Sequence, residues 1–162
     1  MNTRVGIGYD SHRFAAGRPF RLGGITVPHT HGLAGHSDGD AALHALIDAL
    51  LGAAALGDIG QHFPDDDPQW RGADSARLLK SVVEKLKAAG LTVGQADVTI
   101  IAERPKIGHL IGPMRAATAK ALGLDQSAVS IKAKTNEGMG WLGRGEGVAA
   151  VAVATVLQAA SG

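Results

Sequence analysis

Small residues dominate this chain to a degree that restricts how it can fold. Of its 162 residues, 23 are glycine and 28 are alanine, so roughly a third of the chain carries almost no side chain. Glycine alone ordinarily accounts for about 7% of a protein. Small side chains let two backbones, or a backbone and a ligand, approach closely, and glycine permits unusual dihedral angles in tight loops. We therefore expect closely packed elements joined by tight, glycine-bearing loops.

Length, charge and composition limit the classes of protein to which the chain can belong. Domains commonly contain about 100–200 residues, so we expect residues 1–162 to form a single domain. Sixteen basic and 15 acidic side chains give a net charge of +1. This balance argues against a nucleic-acid partner, because a surface that binds nucleic acid needs a stripe of basic residues. The absence of cysteine excludes disulfide scaffolds, thiol nucleophiles and iron–sulfur clusters.

The chain shows no pattern typical of export or membrane insertion. Residues 1–8 lack the apolar core of a signal peptide. The most apolar stretch, 147–160, is too short to span a bilayer. We expect a soluble, cytoplasmic protein with no membrane partner.

Hydrophobic periodicity predicts six strands and three long helices. The strands are expected at 4–9, 20–22, 25–27, 97–102, 129–132 and 148–156, with Gly23-Gly24 as a hairpin turn. The helices are expected at 38–56 with Ser37 as N-cap, at 74–89 with Asp74 as N-cap, and at 107–122 before Gly123. Segments 28–35, 57–72 and 137–147 are expected to be loops. This order predicts an α+β fold in which helices pack on one face of a single-layer mixed β-sheet.

Two distant segments carry side chains suited to a metal ion. Asp10 and His12, at the end of the first predicted strand, point the same way because they are two residues apart on extended backbone. His44 lies on the first predicted helix, four residues after Asp40 and on the same face. Taken separately, Asp10 and His12 are explained as a surface pair, and His44 is explained as a buried core histidine. Taken together, Asp10, His12 and His44 form a two-histidine, one-carboxylate set that leaves the fourth position of a tetrahedral zinc ion for substrate.

Other segments suit phosphate oxygens. His36 and Ser37 are expected at a helix N-terminus, where free N–H groups favour an anion. Segment 134–147 combines glycines with Lys134, Thr135 and Arg144, and Glu137 suits a hard divalent cation. A glycine-laden turn explains this segment equally well. Solvated surface structure also explains the acidic loop 57–67 and the junction at 102–106.

In combination, these motifs resemble one known family. Gly8-Tyr9-Asp10-Ser11-His12 and Ala34-Gly35-His36-Ser37-Asp38-Gly39-Asp40 are similar to segments of the 2-C-methyl-D-erythritol 2,4-cyclodiphosphate synthases. So are segments 44–60, 63–65, 97–102, 105–106 and 143–147. The resemblance runs in order from about Arg4 to Val156 and is most specific in the His-Ser-Asp-Gly-Asp motif and the alanine-rich helix that follows it.

The resemblance implies a cyclising phosphorus–oxygen lyase of non-mevalonate isoprenoid biosynthesis. Such an enzyme converts 4-diphosphocytidyl-2-C-methyl-D-erythritol 2-phosphate into 2-C-methyl-D-erythritol 2,4-cyclodiphosphate and CMP. The family also implies a homotrimer with active sites between subunits, and Zn²⁺ with Mg²⁺ or Mn²⁺ as cofactors. By position, the zinc ligands match Asp10, His12 and His44, a ligand of the second cation matches Glu137, and the residues that stabilise the transition state match His36 and Thr135.

The resemblance also implies a set of substrate-binding positions. These are Asp10, Ser11, His12, His36, Ser37, Asp58, Ile59, Gly60, Phe63, Pro64, Asp65, Asp66, Asp67, Ala102, Glu103, Arg104, Pro105, Lys106, Ile107, Gly108, Lys134, Thr135, Asn136, Glu137, Trp141 and Arg144. The chain departs from the family at Lys134 and Asn136, where threonine-like residues are common, and at Trp141, where phenylalanine is common. Arg144 and Glu146 are candidates for an isoprenoid-binding cavity on the trimer axis.

Two other classes of function fit the same residues. One is a metal-dependent phosphoesterase, in which water rather than a substrate phosphate attacks phosphorus. The other is a non-catalytic trimer that binds a nucleotide or an isoprenoid diphosphate.

Overall fold

The sheet is built around two long antiparallel strands from the two ends of the chain. The computed structural model describes residues 1–159. Its strands are β1 (Asn2–Ala16), β2 (Phe20–Leu22), β3 (Ile25–Val27), β4 (His31–Leu33), β5 (Leu91–Ile101), β6 (Val129–Lys134) and β7 (Gly147–Gln158). The five-stranded sheet has the order β4-β1-β7-β5-β6, in which β5 and β6 are parallel and the other neighbours are antiparallel. Strands β2 and β3 form a separate hairpin.

The helices cover one face of this sheet. They are α1 (Ala41–Ala54), α2 (Ile59–His62), α3 (Ser75–Ala88), α4 (Ile111–Leu122) and α5 (Gly140–Gly143). Helix α1 lies across β1 and β7, α3 packs against α1 and β5, and α4 packs against β6. The predicted α+β class, with helices on one face of a mixed sheet, is confirmed.

The abundance of small residues serves the contact between β1 and α1. An added Cβ at Gly6 would lie 2.0 Å from the carbonyl oxygen of Ala49, and one at Gly8 would lie 1.9 Å from that of Ala45. No side chain fits at such distances, so glycine on the strand lets the two backbones touch. The expectation that small residues allow close packing is confirmed here.

Strand β1 is longer than its hydrophobic alternation predicts. It pairs with β7 from Asn2 opposite Gln158 to Arg13 opposite Gly147, and then with β4 through Ala16. Asp10 and His12 therefore lie within the strand, and their expected position at its end is wrong. The side chains after Tyr9 are mostly polar, so the hydrophobic alternation ends there. Hydrogen bonds to β7 nevertheless continue the strand. Segment 28–35 likewise contains β4 instead of being entirely loop.

The predicted start of the first helix is also wrong. Helix α1 begins at Ala41, and its N-cap is Asp40, whose carboxylate accepts hydrogen bonds from the amides of Leu43, Gly23 and Gly24. The sequence offers several capping residues in a row. Tertiary contact decides between them, because the carboxylate that caps α1 also binds the β2–β3 turn. Asp40 consequently faces the hairpin and does not share a functional face with His44.

The remaining elements follow the predicted order with shifted ends. The hairpin turn at Gly23 and Gly24, with φ of 61° and 80°, is confirmed, as are the Asp74 cap and the end of α4 at Gly123. The final strand is confirmed as β7. Strands β5 and β6 are longer than predicted, and α4 is preceded by a 3₁₀ turn at Gly108–Leu110. The expected loops 57–72 and 137–147 contain the short helices α2 and α5, with a 3₁₀ turn at Pro68–Trp70.

Candidate functional site

Three side chains from two elements meet at one point beneath α1. Asp10 and His12 project from the inner face of β1, and His44 projects from the first turn of α1. Asp10 Oδ2 lies 2.8 Å from His12 Nε2 and 3.1 Å from His44 Nδ1, and the two ring nitrogens are 3.2 Å apart. All three offer one ligand atom within 4.8 Å of the others. The structure thus holds a candidate site for a divalent metal ion in the arrangement that the sequence predicts.

The electrostatics of this triad favour a charged pair in the absence of metal. Burial opposes ionisation of Asp10, but hydrogen bonds and charge from His12 and His44 outweigh it and lower the pKa of Asp10 to about 2. Burial likewise opposes protonation of His12, but the Asp10 carboxylate outweighs burial and raises the pKa of the His12 imidazole. A carboxylate that attracts a proton to an adjacent imidazole equally attracts a metal cation.

The ring nitrogens that face away from the triad are also bound. His12 Nδ1 lies 2.5 Å from the carbonyl oxygen of Ala34. His44 Nε2 lies 2.8 Å from Ser75 Oγ and 3.1 Å from Ser37 Oγ. These contacts orient both rings toward Asp10.

A cavity of about 210 Å³ opens beside the triad. Its lining includes Asp10, His12, Gly35, His36, Ser37, His44, Ile59, Gly60, Phe63, Asp65, Trp70 and Leu78. Most of the predicted residues between 10 and 65 therefore share one space. His36, five residues before α1, is not at the helix N-terminus as expected, yet it reaches this cavity.

Local hydrogen bonds shape the loop that closes the cavity. The amide of Ile59 donates to Asp48 on α1 over 2.8 Å, and Asp58 caps α2 through the amide of Gln61. Asp67 caps the following 3₁₀ turn, which brings Trp70 edge-on to Phe63 with ring centroids 5.0 Å apart. Sequence reasoning missed Gly35, Trp70 and Leu78 in the lining, although an aromatic residue in a long acidic loop was a usable signal for Trp70. Pro64 is half-buried and Asp66 exposed, and neither lines the cavity.

The other predicted binding segments meet each other elsewhere. The amide of Ala102 donates to the carbonyl of Lys134, and Glu103 accepts hydrogen bonds from the amides of Asn136 and Gly138. Segments 102–108 and 134–137 thus form one surface, in which Thr135 is half-buried and Glu137 exposed. Neither segment lines the cavity beside the triad.

Sheet register places this surface at the same end of the sheet as the triad. Ser11 pairs with Ala149, Ala149 with Ile101, and Ile101 with Lys134. With strands about 4.8 Å apart, the ends of β5 and β6 lie roughly 10 Å and 14 Å from β1. One chain therefore carries two separate groups of predicted site residues at one end of its sheet.

The last predicted residues lie beside the second half of β1. Trp141 and Glu146 line a wide depression of about 570 Å³ together with Ser11, His12, Arg13 and Phe14. Arg144 donates two hydrogen bonds to Glu146, at 2.9 and 3.2 Å. These two residues pair with each other and not with the metal triad. Among residues 1–159, no helix has both the length and the apolarity required to cross a membrane.

Comparison with known proteins identifies relatives along the whole fold. Residues 3–157 match the model of the YgbB family. The 2-C-methyl-D-erythritol 2,4-cyclodiphosphate synthase of Bordetella petrii is 58% identical over 156 residues, which cover 96% of each chain.

Solved structures agree. A 2C-methyl-D-erythritol-2,4-cyclodiphosphate synthase in a CDP-bound form superposes with a TM-score of 0.87 at 40% identity, over 95% of this chain and 100% of that one. The bifunctional IspDF of Campylobacter jejuni superposes with a TM-score of 0.92 at 38% identity, and the match covers 96% of this chain but 42% of the bifunctional protein. The resemblance seen in the sequence motifs is thereby confirmed, and the chain belongs to the YgbB family of 2-C-methyl-D-erythritol 2,4-cyclodiphosphate synthases.

Proposed function

We propose that this chain is a 2-C-methyl-D-erythritol 2,4-cyclodiphosphate synthase that acts in non-mevalonate isoprenoid biosynthesis. Its substrate is 4-diphosphocytidyl-2-C-methyl-D-erythritol 2-phosphate, and its products are the cyclic diphosphate and CMP. The observation that carries the proposal is the convergence of Asp10, His12 and His44 beside a cavity, in a chain 58% identical to a protein named for that activity.

The donor atoms of the triad fit a catalytic zinc ion. Two imidazole nitrogens and one carboxylate oxygen face a common point, and zinc sites with three protein ligands of this kind keep one position open for substrate. We assign Zn²⁺ to Asp10, His12 and His44, and Mg²⁺ or Mn²⁺ to Glu137. When bound, such ions neutralise and polarise phosphate oxygens as Lewis acids.

The reaction joins two phosphates of one molecule. An oxygen of the 2-phosphate forms a bond to the diphosphate phosphorus on the methylerythritol side. The bond from that phosphorus to the bridging oxygen breaks, and the electron pair leaves with CMP. The second pKa of a phosphate monoester is about 6, so the nucleophile is already ionised at neutral pH. No side-chain base is required, and none is assigned.

The protein residues position the substrate and stabilise the charge that develops during the reaction. Segments 58–60 and 63–67, tethered to α1 through Asp48, hold the sugar, while 102–108 and 134–137 hold the cytidine and its phosphates. Fixing both ends of a flexible substrate near attack distance contributes at most about 7–11 kcal/mol. His36 and Thr135 donate hydrogen bonds to the charge that develops on phosphate oxygens.

We further propose a homotrimer with its active sites between subunits. The outer face of the sheet exposes Val5, Ile7, Tyr9 and Val153 to solvent, at 64%, 70%, 57% and 40%. Contiguous exposed apolar surface marks an interaction site. The two parts of the site that one chain leaves separate would be joined if a second copy covered this face. The number of three subunits follows from the family.

The remaining assignments follow the same reasoning. We propose that residues 1–162 form one domain, which is supported by the family match over residues 3–157. We also propose a cytoplasmic location. Arg144 and Glu146, directly before β7, are proposed to border a cavity on the trimer axis.

Product analysis tests the proposed reaction directly. The protein is incubated with the cytidyl substrate, Zn²⁺ and Mg²⁺, and the products are followed by phosphorus NMR. We expect one cyclic diphosphate per CMP from the native protein. The control His109→Ala, which removes an exposed histidine, should give the same products. An open-chain phosphate product would show a phosphoesterase instead, and binding without CMP release would show a non-catalytic protein.

A further inference from the structure

A buried serine and a carboxylate lie behind His44, on the side away from Asp10. Ser75, the first residue of α3, is fully buried, and its Oγ lies 2.8 Å from His44 Nε2. Asp38 binds Ser75 twice: one carboxylate oxygen accepts the Ser75 amide over 3.0 Å, and the other accepts the Ser75 hydroxyl. His44, Ser75 and Asp38 therefore form a continuous chain of hydrogen bonds.

The protons available to His44, Ser75 and Asp38 determine which group donates in each of these hydrogen bonds. An ionised carboxylate can only accept, so the single hydroxyl proton of Ser75 must point to Asp38. Ser75 Oγ can then bind His44 Nε2 only as an acceptor, which requires the proton of the neutral imidazole to be on Nε2. The Nδ1 of His44, 3.1 Å from Asp10 Oδ2, is left with its lone pair directed at the triad.

We propose that Ser75, held by Asp38, is a positioning residue that keeps His44 in the tautomer that can bind a metal ion through Nδ1. The proposal rests on the proposed metal site of Asp10, His12 and His44. It gives Asp38 a role beyond the hydrogen bonds that it accepts from the amides of Asp40 and Ser75.

The positioning is needed because the triad itself favours the opposite tautomer. In the metal-free protein Asp10 Oδ2 is an acceptor within reach of His44 Nδ1, and it would attract the proton to that nitrogen. An acceptor on Nε2 competes with it. His12 shows the same arrangement, since its Nδ1 faces the carbonyl of Ala34, which can only accept.

Ser37 provides a matched comparison. Its Oγ lies 3.1 Å from the same His44 Nε2. Within residues 1–159 that hydroxyl has no carboxylate partner to fix its proton, so Ser37 can donate or accept and specifies neither tautomer. Removal of Ser75 and removal of Ser37 should therefore differ, although both delete one hydroxyl from the same nitrogen.

The experiment compares the full-length native protein with S75A, S37A and S75T. In ¹⁵N-histidine-labelled, metal-free protein at about pH 9, above the ordinary imidazole pKa of about 6.5, nitrogen shifts report the tautomer of His44. We expect Nε2–H in the native protein, S37A and S75T, and a shift toward Nδ1–H in S75A. Zinc affinity, measured by competition with a chromogenic chelator, should fall by about 10–100-fold in S75A and stay close to native in S37A and S75T.

The proposal is overturned if native His44 carries its proton on Nδ1, or if S75A and S37A behave alike in both measurements. Should S75A fail to fold, D38N decides the matter. Its amide can donate to Ser75 Oγ and free the serine proton for Nε2, so a folded D38N that keeps Nε2–H contradicts the proposal. Because the tautomer is read without metal, a native protein that binds no zinc refutes the proposed function separately.

Discussion

The two faces of strand β1 carry opposite kinds of residue. On the inner face Gly6 and Gly8 are buried, and α1 lies so close that no Cβ would fit. On the outer face Val5, Ile7 and Tyr9 are more than half exposed. The apolar side chains thus point away from the core of their own chain, and the glycines point toward it.

The two faces suit one strand to two tasks, the candidate metal site inside and the proposed contact between copies outside. Farther along the inner face, Asp10 and His12 follow the glycines, and the close approach of α1 brings His44 Nδ1 to 3.1 Å from Asp10. The same alternation turns an apolar stripe to the outside, where no helix among residues 1–159 covers it. The inner face is completed within one chain, and we propose that other copies of the chain complete the outer face.

Breaking the outer face should have the largest effect. Ile7→Asp places a charge at the centre of the exposed stripe, where burial against another copy would leave it unpaired. We expect the proposed trimer to dissociate and activity to disappear, while the circular dichroism spectrum stays native. Analytical ultracentrifugation measures the loss, and Ala116→Asp on the exposed side of α4 is the control, expected to remain trimeric. A fully trimeric Ile7→Asp protein would show that this face is not the interface.

Breaking the inner face should destabilise each subunit. Gly8→Ala forces a methyl group against the backbone of Ala45, and we expect a loss of about 3 kcal/mol in the free energy of unfolding. Urea denaturation measures the change. The control is Gly112→Ala on α4, where nothing lies within 4 Å of an added Cβ and stability should be unchanged or slightly higher. Equal stabilities of the two variants would refute the close contact.

Removing the ion pair between Lys132 and Asp97, at the edge of the outer face, should have the smallest effect on stability. Lys132 Nζ lies 2.6 Å from Asp97 Oδ2, and its hydrogen bond outweighs burial and lowers the pKa of Asp97. A lowered pKa stabilises the folded state above the ordinary aspartate pKa of about 3.9, and this contribution is lost as pH falls through the lowered value. Solvent screens the pair, so Asp97→Asn should cost less than about 1 kcal/mol at pH 7, and the difference should vanish in strong acid. Thermal unfolding at several pH values checks this. A cost as large as that of Gly8→Ala would contradict the contrast between the faces.

The sequence predicts the fold best where a local signal determines it. The Gly23-Gly24 turn, the Asp74 cap and the Gly123 stop are each specified by residues at the position itself. The extent of β1 and the choice of Asp40 over Ser37 as cap depend on partners distant in sequence, namely β7 and the β2–β3 turn. Local patterns contain no information about those partners.

The candidate site divides in the same way. The convergence of Asp10, His12 and His44 is predicted by their residue types together with the family resemblance, because two histidines and a carboxylate are a known ligand set for zinc. The contact of Ser75 with His44 spans 31 positions and joins a helix N-terminus to a strand-facing ring. Nothing near Ser75 in the sequence indicates that contact, since serine at the start of a helix is ordinary.

Metal content tests whether Asp10, His12 and His44 converge on one ion. Native protein and the single variants Asp10→Ala, His12→Ala and His44→Ala are loaded with excess zinc, dialysed and assayed for bound metal, with folding checked by thermal unfolding. Convergence on one ion predicts a single tightly held zinc per native chain, its loss from each folded variant, and its retention in His109→Ala. Full zinc content in any one of the three triad variants would contradict the account.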